Sequence, residues 1–330
     1  MKKTLTTIAL SITVLLASAQ QDAQFSMNMF NRLSMNPAYA GMNKALCATM
    51  LYRQQWTGFP GAPKTGLLSV DYGQILRGGV GLTVDQDQLA GGGIKTLSAK
   101  LAYSYHLPLG PGTLGIGLNG GLMQKSINVN FIAPEGGSTG NGGIGSNGFD
   151  PSVPWNKTSS TTYDVGFGLY YQTRKLYVGL SSLHLPEQQF TSSGFAPISK
   201  NNWDLKYKEA RHYYVMAGYT FIPAPAWEIT PSMLLKSVAS SSQLDVNLMA
   251  KWNKMIFGGM SYRISDAIVA IIGLERPFGT RMTAKFGYSY DMTTSKIATY
   301  SNGTHEIMLG FCYKIKPDAT RTSHMNVRFL

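Results

Sequence analysis

Leu97-Ser98-Ala99-Lys100-Leu101-Ala102-Tyr103-Ser104-Tyr105-His106-Leu107 is the stretch whose reading decides the fold. Leu97, Ala99, Leu101, Tyr103, Tyr105 and Leu107 fall on one face of an extended chain, and Ser98, Lys100, Ala102, Ser104 and His106 on the other. Successive side chains of a strand point to opposite faces, so this alternation predicts a strand with one apolar and one polar face. The rhythm returns in 243–252, where Leu244, Val246, Leu248, Ala250 and Trp252 oppose Gln243, Asp245, Asn247 and Lys251. It returns again in 281–290 and 305–314. About fourteen strands follow, near 44–56, 63–72, 78–87, 95–107, 113–125, 162–172, 175–184, 209–221, 226–236, 242–252, 255–263, 266–275, 281–290 and 304–315.

A soluble sandwich can carry such strands with the apolar face as its core. An even strand count and alternating connection lengths favour a closed antiparallel transmembrane β-barrel of the outer-membrane kind. If the first strand runs outward, the inner links are short: 73–77, 108–112, 173–174, 222–225, 253–254 and 276–280. The long links, roughly 126–161, 185–208 and 291–303, then lie outside. Tyr105, Tyr171, Phe221, Trp227, Trp252 and Tyr313 gather at the inner end of the apolar face, as an interfacial aromatic girdle requires.

Composition agrees. Gly (36), Tyr (18) and Phe (14) are abundant and charged residues make up 14%, against about 25% in soluble domains. Lys2 and Lys3, the apolar run Ile8–Leu16 and Ala17-Ser18-Ala19 read as a signal peptide over 1–19. That leaves a periplasmic N-terminal segment over 20–43, a barrel over 44–315 and a basic periplasmic tail over 316–330. The segment carries turn signals at Asn36-Pro37 and Ala40-Gly41. It is expected to pack into or under the barrel mouth as a plug, with Phe25, Phe30 and Tyr39 as apolar anchors. The net charge of +12, in an exported chain, points to anionic lipid or an acidic protein partner and away from nucleic acid.

Two further readings come from parity. Cys47 opens the first strand on its lumen face, and Cys312 closes the last strand on its own. Barrel closure makes those strands neighbours, so Cys47 and Cys312 are a possible disulfide, with two unpaired lumen thiols as the alternative. The inward face carries both charge signs, including Arg53, Asp71, Lys100, Asp164, Lys236, Asp245, Lys285 and Glu306. A selective pore favours one sign, so a lumen filled by paired side chains is expected.

The run Gln24-Phe25-Ser26 through Met29-Phe30-Asn31 to Asn36-Pro37-Ala38-Tyr39-Ala40-Gly41 resembles the N-terminal signature of the PorP/SprF family. Tyr52-Arg53-Gln54-Gln55-Trp56-Thr57-Gly58-Phe59-Pro60-Gly61-Ala62-Pro63 and His305-Glu306-Ile307-Met308-Leu309-Gly310 match further along. The resemblance implies an outer-membrane component of type IX secretion in Bacteroidota. Its implied partners are outer-membrane lipid and either periplasmic ring components or a large secreted adhesin such as those used in gliding. A porin-like small-molecule transporter is the alternative. Phe25, Phe30, Asn36, Pro37, Tyr39, Gly41, Arg53, Trp56 and Phe59 are the family-motif residues and candidate partner-binding positions.

No catalytic, cofactor or metal site is expected. His106, His184, His212, His305 and His324 are scattered, with no pair at ligand spacing. Asp85 and Asp87 before Gly91–Gly93 lack the further oxygen ligands of a calcium loop. The Gly-rich stretch 136–148 lacks the Lys-Ser/Thr ending of a phosphate loop.

Overall fold

The computed structural model describes residues 22–128, 158–190, 207–238 and 241–315. The expected signal peptide, most of the Gly-rich link and the expected basic tail lie outside the described residues.

Fourteen antiparallel strands close into one barrel, each paired with its neighbours in sequence. They are β1 (Leu46–Gln54), β2 (Lys64–Ile75), β3 (Gly78–Leu89), β4 (Ile94–Leu109), β5 (Gly112–Ile127), β6 (Thr158–Gln172) and β7 (Leu176–Leu183). β8 runs as His212–Tyr219 and, after a break at Thr220, Phe221–Ala224. β9 (Trp227–Val238), β10 (Ser241–Trp252), β11 (Ile256–Arg263), β12 (Ala267–Phe278), β13 (Met282–Thr293) and β14 (Thr304–Tyr313) complete the ring. β14 pairs with β1 from Leu46↔Tyr313 to Gln54↔His305. Every strand thereby has a hydrogen-bonded neighbour on both sides around the ring, the condition for a sheet to cross a bilayer.

The alternation read in the sequence is the inside–outside alternation of the wall. Leu101, Leu118, Leu122, Met260 and Ile272 are 58–68% exposed, while Ser98, Lys100, Ser104, Asn247 and Ser289 are buried. A belt of bare Leu, Met and Ile around the whole ring is destabilising in water and stable against acyl chains. At one end Trp227 stands opposite Trp252, with Tyr105, Tyr171, Phe221 and Tyr313 at the same level.

That end carries the tight turns. Asn253 and Lys254 both have positive φ, as do Leu76 and Arg77, the geometry that two-residue hairpins need. The opposite end carries the longer links, but not uniformly. β3–β4, β9–β10 and β11–β12 are joined by short ones, so the predicted long–short contrast holds for three links and the β1–β2 loop. β5 runs to Ile127 and β6 starts at Thr158, so both hairpin arms project further than the 126–161 link allowed. Gln189–Phe190 and Tyr207–Lys208 add a two-residue ribbon above β7 and β8.

Candidate functional site

Residues 22–43 run inside the ring and end two residues before β1. The segment folds as three short helical turns, Asn28–Phe30, Arg32–Met35 and Pro37–Tyr39. Asn36 starts the last of these by accepting the Ala38 N–H on its side-chain oxygen at 3.0 Å, with Pro37 at the first helical position.

Three sets of contacts hold the segment to the wall. Toward the loop end, Glu306 accepts the backbone N–H groups of Ser26 and Met27, each at 2.8 Å. Arg53 bridges Glu306 at 3.1 Å and Asp291 at 2.9 Å, and the Ser26 hydroxyl donates to Asp291 at 2.6 Å. Arg263 reaches Asp245, Asp266 and Asp291 at 3.3–3.4 Å. Arg53, Arg263, Asp291 and Glu306 are each at most 1% exposed. Charges so buried are tolerable only when paired and hydrogen-bonded, and removing one partner is costly.

In the middle, Met27, Met29, Phe25 and Phe30 pack on Leu51, Leu67, Met249, Phe257, Val269, Ile271 and Met308. Phe30 meets Phe257 at 5.1 Å between ring centroids. These wall residues lie on the otherwise polar inward face, so the lumen has an apolar belt of its own where the segment crosses.

Toward the turn end, Asn36 donates to the carbonyls of Leu169 and Leu180 at 3.0 and 3.2 Å, joining the segment to β6 and β7 together. Ser181 and Ser104 donate to the carbonyls of Met35 and Ala38. Arg32 lies over the Tyr177 ring at 3.8 Å and donates to the Tyr170 hydroxyl at 3.0 Å. Tyr39 packs edge-on against Tyr170, with 5.2 Å between centroids. Gly41, at φ +71°, donates to Asp71 at 3.1 Å. A Cβ at Gly41 would stand 2.6 Å from the Gly79 Cα and 2.7 Å from that of Gly73. Three backbones meet there, so only glycine fits.

Of the family-motif residues, Phe25, Phe30, Asn36, Pro37, Tyr39 and Gly41 therefore belong to the inserted segment, and Arg53 faces it. Trp56 and Phe59 stand apart from it, on the β1–β2 loop. Trp56 has φ +51° and donates its backbone N–H to Thr304 at 3.0 Å, and Phe59 is 46% exposed. Cys47 lies directly opposite Cys312 with Cα atoms 4.1 Å apart, and the two sulfurs are joined in a disulfide on the β1–β14 seam.

Sequence reasoning missed two things. Gly115, Gly117, Gly168 and Gly179 form a floor under Asn36-Pro37-Ala38, where side chains would strike the segment. Their inward parity, as in Gly115-Ile116-Gly117, is readable in the sequence. His184 and His212, separated in the sequence, meet with ring centroids 5.1 Å apart. They sit at the loop ends of neighbouring strands β7 and β8, which the strand assignment already implied.

The inserted segment leaves a cavity of about 490 Å³ on the turn side and one of about 240 Å³ on the loop side, and the two share no lining residue.

A monoaromatic hydrocarbon channel, CymD, is similar in fold at 11% identity, with a TM-score of 0.52 over 89% of this chain and 94% of that one. The toluene transporter TodX of Pseudomonas putida is 11% identical with a TM-score of 0.49, over 86% of this chain and 93% of its own. At such identities the likeness concerns the barrel fold alone. No curated protein matches the sequence. The model of the type IX secretion system membrane proteins PorP/SprF matches residues 17–311. The chain belongs to the PorP/SprF family of type IX secretion membrane proteins.

Proposed function

We propose that this barrel docks components of the type IX machinery, or a large secreted adhesin, at the outer membrane, and does not conduct solutes. The carrying observation is the filled lumen: a segment of the same chain separates two cavities and is held by buried charge. A conduit would need that network dismantled at each passage. In this reading the turns face the periplasm and the long loops face outward. The turn-side mouth carries Arg32, Arg174, Lys175, Lys251, Lys285 and Lys314 against Asp71, Glu228 and Glu275. It therefore suits an acidic surface of a periplasmic partner, in a contact that weakens as salt rises.

The transporter reading draws on the loop-side cavity of about 240 Å³ and on the channel named for its fold neighbour. Affinity purification in mild detergent, paired with planar-bilayer recording of the same preparation, separates the two. Docking predicts salt-sensitive co-purification of envelope proteins and no steady open conductance. A steady conductance from a barrel that captures no partner reverses the choice.

A further inference from the structure

Asp22, at the start of the described segment, reaches the loop-side wall where β7 and β8 end. One ligand atom from each of Asp22, His184, Glu209 and His212 falls within 4.8 Å of the others. We propose that these four residues form a site for a divalent transition metal of the zinc class, fastening the start of the plug to the wall.

The donor set fits that class. Two imidazoles and two carboxylates suit zinc, whereas calcium and magnesium take oxygen ligands. A tetrahedral zinc shell with bonds of about 2.0–2.2 Å needs ligand atoms roughly 3.3–3.6 Å apart. Side-chain rotations that draw the widest pair in by about 1 Å complete it. His184, Glu209 and His212 are buried. Lys125 already stands 3.8 Å from the Glu209 carboxylate, so the ion would share that carboxylate with it.

The histidines are also oriented for this task. His184 Nδ1 lies 3.0 Å from an Asp164 carboxylate oxygen, and His212 Nδ1 lies 2.9 Å from the Ala210 carbonyl. Metal-bound histidines donate their other ring N–H to such acceptors. Each ring thus presents Nε2 toward Asp22: that of His184 at 3.1 Å from the carboxylate, that of His212 at 3.9 Å. In the metal-free arrangement the Asp22 N–H donates to His212 Nε2 at 3.0 Å. The ion takes over that lone pair. The Tyr214 hydroxyl, 3.0 Å from the Asp22 carboxylate, stays to orient it. Asp22 and Glu209 line the loop-side cavity, which supplies an entry path.

The competing arrangement is metal-free, with His184 as an imidazolium held between Asp22 and Asp164. The test uses the full chain without a histidine tag, in detergent, chelator-treated and titrated calorimetrically with Zn²⁺ alone. One equivalent is expected to bind and to survive dialysis by elemental analysis. His212→Ala and Glu209→Gln are expected to weaken binding at least tenfold. Asp164→Asn, behind His184, should weaken it about 10–100-fold. Heat-modifiable migration on gels shows that each variant remains a barrel. If His212→Ala fails that check, the other two variants decide. No zinc on the folded wild type, or undiminished zinc in folded variants, overturns the proposal.

Discussion

Glu306→Gln isolates the charge that holds the inserted segment. The carboxylate accepts two backbone N–H groups, from Ser26 and Met27, at 2.8 Å each. A glutamine oxygen keeps one of them, and its NH₂ faces the other donor. The loss is therefore one hydrogen bond to a charged group, about 1.5–3 kcal/mol, plus weakening of the second by about 1 kcal/mol. The sum, about 2.5–4 kcal/mol, raises the detached population by a factor on the order of 10²–10³, at tenfold per 1.4 kcal/mol. The further cost at Arg53, which is buried beneath the seated segment and contacts Ser26, adds to this figure. Hydrogen exchange of the Ser26 and Met27 amides, followed by mass spectrometry, reads the ratio directly. Protection should drop by about 100-fold or more. The exposed Glu187–Lys208 pair gives the control, since Glu187→Gln should leave those amides unchanged. Unchanged protection in a folded Glu306→Gln barrel would refute the idea that this carboxylate seats the plug.

Gly168→Val places a side chain against Asn36 and the Pro37 ring. Trypsin should then cut after Arg32 in a folded barrel whose parent resists, and resistance in the variant would remove the glycine floor from the argument. Protein taken from cell envelopes should show no maleimide-reactive thiol when denatured unreduced and two after reduction, given the Cys47–Cys312 bond; two free thiols before reduction would show that it does not form in the cell. In a Cys47→Ser/Cys312→Ser background, Tyr300→Cys, 72% exposed beside β14, should react with an impermeant maleimide on intact cells. Leu76→Cys, at the 80% exposed turn position, should react only after permeabilisation, and the opposite pattern inverts the topology.

The wall was legible because a barrel is read one strand at a time. Leu101 out and Lys100 in follow from parity alone. Closure then makes the first and last strands neighbours, and their lumen-facing cysteines, which the sequence left either bridged or unpaired, stand as Cys47 opposite Cys312. The interior was legible only in part. Phe25, Phe30 and Tyr39 announced a buried segment by their type. Where each would land depends on contacts more than a hundred residues away in sequence, such as Asn36 with Leu169 and Leu180. Periodicity carries no such information. Met249, Met308 and Leu51 look like lapses in a polar face until the segment that covers them is placed. Trp56 and Phe59 share a motif with Arg53, yet a positive φ at Trp56 turns the chain out over the rim.

The place where Ser26 and Met27 meet Glu306 has a consequence for biogenesis. The contacts join residues about 280 positions apart, and Glu306 lies on the strand that completes the ring by pairing with β1. Only two residues separate the plug from β1, so the plug is tethered beside its site from the moment the ring exists. The last hairpin arrives at a post that already carries one half of the buried charge network, Arg53, and supplies the other, Asp291 and Glu306. The pairing that seals the wall thus also joins the two halves of the buried network, and whatever inserts this chain into a membrane must deliver both ends of it to the same place.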